Sequence, residues 1–173
     1  MHTALGIEHY FSLSSGVMDI YFKRLSAGNR GEFIVFFERN DTPETKRNFA
    51  PFEFSKTALE EMFDTIKSDI FLGVFNKKNE VLAFGMLRGW DEGYDVPSMG
   101  VLVTKDMRGK GIGGQLITQL LKMAKERRSK QVRLSVYEDN KRAMNLYRKH
   151  GFVETEKQEI SHRIKWIMYH NVK

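Results

Sequence analysis

The spacing of apolar positions changes period several times along the chain, and each change marks an element. Val17 to Leu25 alternates and predicts a first strand; Ser26 or Asn29 is placed to cap a helix through Phe33 to Glu38. Asn40 to Pro51 has two of the three prolines and little periodicity, so a loop is expected. Ser55 then stands as N-cap of a helix whose Leu59, Met62, Phe63 and Ile66 repeat at i, i+3, i+4, i+7, one buried face. Ile70 to Phe75 and Val81 to Leu87 read as strands joined by Asn76-Lys-Lys-Asn79, an antiparallel hairpin. Arg88 to Val96 is a polar connection, and Ser98 to Thr104 resumes a strand.

A glycine cluster leads into the strongest helix, with Leu116, Ile117, Leu120, Leu121 and Ala124 on one side. Gln131 to Val136 alternates as a strand, and Asp139 or Asn140 can cap a helix to His150 that Gly151 terminates. Phe152 to Ile160 and Arg163 to His170 supply two closing strands. This α/β alternation without repeat or linker, over 173 residues, predicts one domain, with an N-terminal stretch, residues 1–16, of unassigned role.

Composition narrows the chemistry. Zero cysteines exclude disulfides, thiolate nucleophiles, zinc fingers and iron–sulfur clusters, and make the cytoplasm the expected compartment. No run approaches the roughly 20 apolar residues that span a bilayer, and Met1 to Ser15 lacks the basic-then-apolar order of an export signal. The net charge of +6 is unevenly placed. Lys105 to Arg133 has nine basic residues against Asp106 and Glu126, whereas the rest is nearly neutral. A basic balance so confined suggests a local polyanion site.

That segment contains Arg108-Gly-Lys-Gly-Ile-Gly-Gly114, a glycine-rich turn between strand and helix. Glycines let backbone N–H groups approach phosphate oxygens, and a helix N-terminus adds roughly half a positive charge. Arg108 and Lys110 add full charges, and four glycines in six positions exceed what a tight turn needs. The literal pattern Gly109-x-Gly111-x-x-Gly114 also fits a dinucleotide fingerprint, but the context does not: polar residues separate strand from glycine, and the nearest acid at a following strand end, Glu138, lies 29 positions after Gly109. No Gly-Lys-Ser/Thr ending makes a P-loop.

Arg108-Gly-Lys-Gly-Ile-Gly resembles the Arg/Gln-x-x-Gly-x-Gly/Ala signature of the GNAT superfamily of acyl-CoA-dependent N-acyltransferases, and Asn140-Lys-Arg-Ala143-Met-Asn-Leu-Tyr147-Arg-Lys-His-Gly151-Phe152 is similar to its second motif. The resemblance is specific from about Val81 to Phe152. It implies a single-domain α/β (α+β) fold with a mixed, mostly antiparallel sheet, helices on both faces, and a gap where strand Ser98–Thr104 splays from strand Gln131–Val136. It further implies acetyl-CoA as cosubstrate. Backbone near Leu102 and Val103 would pair with the pantetheine arm, Arg108, Gly109, Lys110, Gly111, Ile112 and Gly113 would hold the pyrophosphate, Asn140 would bond the arm, and Tyr147 would sit beside the sulfur.

Acyl transfer to an amine needs a neutral nucleophile, a donor to the carbonyl oxygen and a proton for the thiolate. A tyrosine, with an unperturbed pKa of about 10, stays protonated and can serve the thiolate, which suits Tyr147. Without cysteine or a Ser-His-Asp set, direct transfer is expected over an acyl-enzyme. Members of the family that acylate protein amino groups often have a glutamate where this chain has Ser135, and others have one near the start of the strand before the glycine turn, where this chain has Pro97 and Ser98. The acids at hand are Asp91, Glu92 and Asp95; a water relay from Glu92 or Asp95 could supply the base, with Glu92 the candidate, and binding of an amine already deprotonated is the alternative.

The acceptor is expected to be a small-molecule primary amine entering between Asn40–Phe54 and Arg88–Tyr94. Phe49, Phe52 and Phe54 beside Lys46 and Arg47 could receive a nucleotide-linked sugar, or could be core; Asp91, Glu92 and Asp95 could hold a cation. The segment Arg88-Gly-Trp-Asp-Glu-Gly-Tyr94 with Pro97-Ser98 resembles GNAT members that acetylate amino sugars, which ranks that class above polyamines, antibiotics and peptide N-termini. A homodimer is compatible; membranes and nucleic acid are not expected partners. Protein amine transfer and a non-catalytic acyl-CoA sensor are the alternatives. A nucleic-acid binder using Lys122 to Arg133 would leave Asn140 and Tyr147 without a role.

Overall fold

In this computed structural model residues 19–172 are described; the start of the first expected strand and the segment 1–16 lie outside them. Seven strands form one sheet in the order β1-β2-β3-β4-β5-β7-β6. They are β1 (Ile20–Arg24), β2 (Ile70–Asn76), β3 (Val81–Arg88), β4 (Ser98–Val103), β5 (Gln131–Tyr137), β6 (Val153–Ile160) and β7 (Arg163–Asn171). Every neighbouring pair is antiparallel except β4 and β5. The helices are α1 (Arg30–Arg39), α2 (Pro43–Asn48), α3 (Lys56–Thr65), α4 (Ile112–Glu126) and α5 (Lys141–Lys149).

Two cores explain the layering. Helices α1 and α3 bring Phe33, Phe36, Phe37, Leu59 and Phe63 to one face of the sheet, and α4 and α5 bring Leu116, Ile117, Leu120 and Met144 to the other. Strands β2 and β3 lie between them, so every residue but the last of each is buried. On the first face Phe84 of β3 is ringed by Phe33, Phe36, Phe37, Phe49, Phe52 and Phe71, with centroids 4.7–6.5 Å away. Phe54 is buried and Phe52 packs on the same cluster, so both are core residues and not a ligand platform.

The loop expected over Asn40–Pro51 is corrected: it contains α2. Thr42 accepts a hydrogen bond from the Thr45 N–H (3.2 Å), Pro43 stands at the first helical position, and Lys46 and Arg47 occupy the last turn. Six residues make fewer than two turns, too few for a periodicity to emerge.

The connection after β3 is anchored by two aspartates. Oδ1 of Asp69 accepts from the N–H groups of Gly89 (3.0 Å), Trp90 (2.9 Å) and Asp91 (3.2 Å). Asp91 in turn accepts from Lys67, Ser68 and Asp69 N–H at 3.0, 2.7 and 3.3 Å. Burial raises the pKa of Asp69 against those bonds. For exposed Asp91 burial also opposes ionisation, but the three backbone bonds outweigh it and its pKa is lowered. Asp69→Ala is expected to lower stability by about 2–3 kcal/mol, since it strands buried N–H donors, and Asp91→Ala by less. Urea melts of the two variants check the order.

Candidate active site

Strands β4 and β5 share one register pair, Ser98↔Arg133, reinforced by the Arg133 N–H to the Pro97 carbonyl at 3.0 Å. Beyond it they diverge, and their C-terminal ends open a groove of about 1070 Å³. Backbone alternation identifies what faces the gap. The Thr104 N–H donates to Leu82 of β3 (3.0 Å), so Leu102 shares that side, while Val101 and Val103 turn their N–H and C=O toward the opening. Of the two residues expected to meet the arm, Val103 presents backbone, whereas Leu102 turns its backbone to β3 and is buried in the phenylalanine core; Val101 joins Val103.

The glycine turn forms the end of the groove. Gly109 and Gly111 both have φ +80°, and a Cβ built on either would meet no heavy atom within 4 Å. Their conformation excludes other residues at low cost, and the space beside them is open. Helix α4 starts from Gly111, and its first intrahelical bond is Gln115 N–H to Gly111 C=O at 3.2 Å. The N–H groups of Ile112, Gly113 and Gly114 therefore precede the helical ladder. An anion fits this cradle. Gly109, Gly111 and Gly113 line the groove, whereas the Ile112 side chain is buried in the core and Lys110 extends toward Met107, its Nζ 3.7 Å from the sulfur.

Arg108 lines the groove, but its guanidinium is engaged: Nε donates to the Val103 carbonyl (3.1 Å) and Nη1 pairs with Glu44 of α2. That hydrogen bond and the adjacent positive charge hold the Glu44 carboxyl below its usual pKa. The other end of α2 reaches the opposite lip. Arg47 pairs with Asp139 at 2.9 Å, and Arg163 of β7 bonds Asp139, the Arg47 carbonyl and Asn48. Arg163 first and Arg47 second bring the Asp139 pKa down to about 2. Helix α2 thus spans the open end from β4 to β5.

Asn140 lines the groove as N-cap of α5; its Oδ1 accepts from the Ala143 N–H (3.3 Å), which leaves the amide NH2 as the group free to donate. Tyr147, on the buried face of α5, packs edge-on against Phe152 at 5.8 Å and also reaches the groove. Its hydroxyl has no protein hydrogen-bond partner among the described residues. Burial pushes its pKa up to about 12. Glu92 is not brought here: it lies outside the lining and its carboxylate bonds Arg88 Nη2 at 3.1 Å. Glu44 and Lys165 also line the groove without having been named from the sequence, and so do Ser98 and Arg133, which the sequence marked only as a position lacking the relatives' glutamate and as one of a basic run.

A family model for the GNAT acetyltransferase family matches residues 31–152. Among solved structures, a GNAT acetyltransferase from Streptococcus pneumoniae superposes with TM-score 0.75 at 16% identity, covering 89% of this chain and 99% of its own. Spermidine N-acetyltransferase from Vibrio cholerae, in complex with CoA and spermine, gives 0.75 at 18% identity over 88% of this chain and 95% of its own. An N-acetyltransferase from Staphylococcus aureus gives 0.71 at 14% identity, covering 89% and 99%. Those identities establish a shared fold, and the family match, spanning both the glycine turn and the Asn140–Phe152 motif, goes further: this chain belongs to the GNAT acetyltransferase family and is an N-acetyltransferase.

Proposed function

We propose that this protein moves an acetyl group from acetyl-CoA directly to a primary amine of a small molecule. The observation that carries the reading is the parting of β4 from β5 after a single shared pair, with the open glycine cradle at one lip and the Tyr147 hydroxyl at the other. The CoA complex of the similar V. cholerae enzyme supports the choice of donor.

Each residue then has a task. The cradle N–H groups from Gly109 to Gly113 bind the pyrophosphate, backbone of Val101 and Val103 pairs with the pantetheine arm, and the Asn140 amide donates to it. One N–H on the gap side of β4 stabilises the oxygen that becomes negative as the amine attacks. Tyr147 holds a proton beside the sulfur. With its pKa near 12, full transfer to a thiolate of reference pKa about 8.5 is uphill by roughly 5 kcal/mol, an upper figure because the same burial disfavours the thiolate. Tyr147 therefore acts first as a hydrogen-bond donor to the growing negative charge. With Glu92 outside the groove and Glu44 committed to Arg108, the amine reacts in its neutral form without a dedicated base. As the C–S bond breaks, the proton that the nitrogen sheds on becoming an amide passes to the sulfur held by the Tyr147 hydrogen bond, so CoA leaves as the free thiol, and the rate rises with pH toward the amine's own pKa.

The test is thiol release from acetyl-CoA with a panel of primary amines, nucleotide-linked amino sugars included, with product masses read in parallel. Amine-dependent CoA release with a product heavier by one acetyl group is expected. Tight acetyl-CoA binding with no thiol release for any amine would replace the enzyme by a sensor.

A further inference from the structure

The groove as a whole, cofactor end included, has a sign. Six cationic side chains line it, Lys46, Arg108, Arg133, Arg142, Lys149 and Lys165, against one carboxylate, Glu44, which Arg108 already holds. Lys46 is likewise paired, with Asp41 at 2.7 Å. Arg133 is not. It belongs to the strand face that also carries Ser135 and Tyr137, while Val132, Leu134 and Val136 turn into the opposite core. Lys165 stands across from Tyr137 in register, on that same face. The Arg133 side chain is half-buried at the point where β4 and β5 part. Nη1 reaches the Ser98 hydroxyl at 3.4 Å, Nε is buried without any hydrogen-bond partner, and no carboxylate pairs with the group among the described residues.

A buried guanidinium N–H without an acceptor costs free energy; the Nε edge is covered by the protein, so the Nη end is the part that can meet an oxygen of a carboxylate or phosphate in the groove. The geometry points to Arg133 as the anchor for an anionic group on the acceptor, so that the amine acetylated here carries a carboxylate or a phosphate. Resting on the acetyltransfer reading, the assignment narrows it to amines that also carry a negative group. A nucleotide-linked amino sugar meets the requirement; spermidine does not.

Matched amines test it: ethanolamine against O-phosphoethanolamine, butylamine against 4-aminobutyrate, and spermidine. In the wild type the anionic member should have kcat/KM roughly ten- to hundred-fold above its neutral partner, with spermidine below both. The pair with the larger ratio tells phosphate from carboxylate. Arg133→Gln should erase the ratio by raising the acceptor KM, leave the acetyl-CoA KM unchanged, and be partly rescued by Arg133→Lys. Equal use of neutral and anionic amines, or a ratio that survives Arg133→Gln, overturns the assignment. A second measurement needs no turnover. Inorganic phosphate titrated into CoA-saturated protein should move the Arg133 Nε–H resonance, and absence of any shift also overturns it. A shifted resonance with no amine acetylated would leave the anion site standing and defeat the transferase reading instead.

Discussion

Tyr147→Phe is expected to lower kcat by about 10²- to 10³-fold while leaving CoA affinity unchanged, the magnitude ordinarily associated with one positioned proton donor. The ring is held by α5 and Phe152, so removal of the hydroxyl costs little packing. Its sole expected loss is the bond to the sulfur as charge develops there. Stopped-flow thiol release together with calorimetric CoA titration separates the two quantities, and equal kcat in both proteins would remove Tyr147 from the chemistry. The pH profile carries independent information. A phenol with pKa about 12 stays protonated across the working range, so no falling limb attributable to Tyr147 should occur below about pH 10. Above that, the unfolded chain loses the same proton first, near its ordinary pKa of about 10, so the stability that this buried phenol contributes declines as pH climbs from 10 toward 12.

The second large effect belongs to the cradle. Gly111→Val is expected to weaken CoA binding roughly 100-fold, because the branched side chain would occupy the space a phosphate needs and would displace the N–H groups that face it. The left-handed backbone alone costs about 1–2 kcal/mol of stability whatever the ligand. Gly93→Val separates the two contributions: Gly93 has φ +86° and equally open surroundings but lies outside the groove. It should lose comparable stability and no CoA affinity. Matched losses of affinity in both variants would mean that position 111 acts only through folding.

The parts of the site that could be read from the sequence are those whose chemistry is local. The turn from Arg108 to Gly114 announces itself because four glycines and two cations crowd one strand-to-helix junction, and the Asn140 cap and Tyr147 lie on a short helix with unmistakable ends. What stayed hidden depends on distant pairing. Arg133 is one of nine basic residues in its segment, and nothing in the string distinguishes it from a solvated lysine. The register Ser98↔Arg133 alone puts it at the floor of the groove. Glu44 is hidden for a similar reason, since its partner Arg108 lies 64 residues away along the chain. Glu92 shows the converse: an acid near β4 in sequence, it bonds Arg88 within a connection that is tied by its own Asp91, and by Asp69, to the segment preceding β2.

Strands β1–β4 and β5–β7 meet at one rung, and on the side away from it the two halves of the sheet are bridged by the charge pairs at either end of α2. Those pairs are solvent-exposed, and dissolved ions weaken exposed pairs far more than they weaken a phenylalanine core. Rising ionic strength is therefore expected to loosen the α2 bridge well before it unfolds the chain.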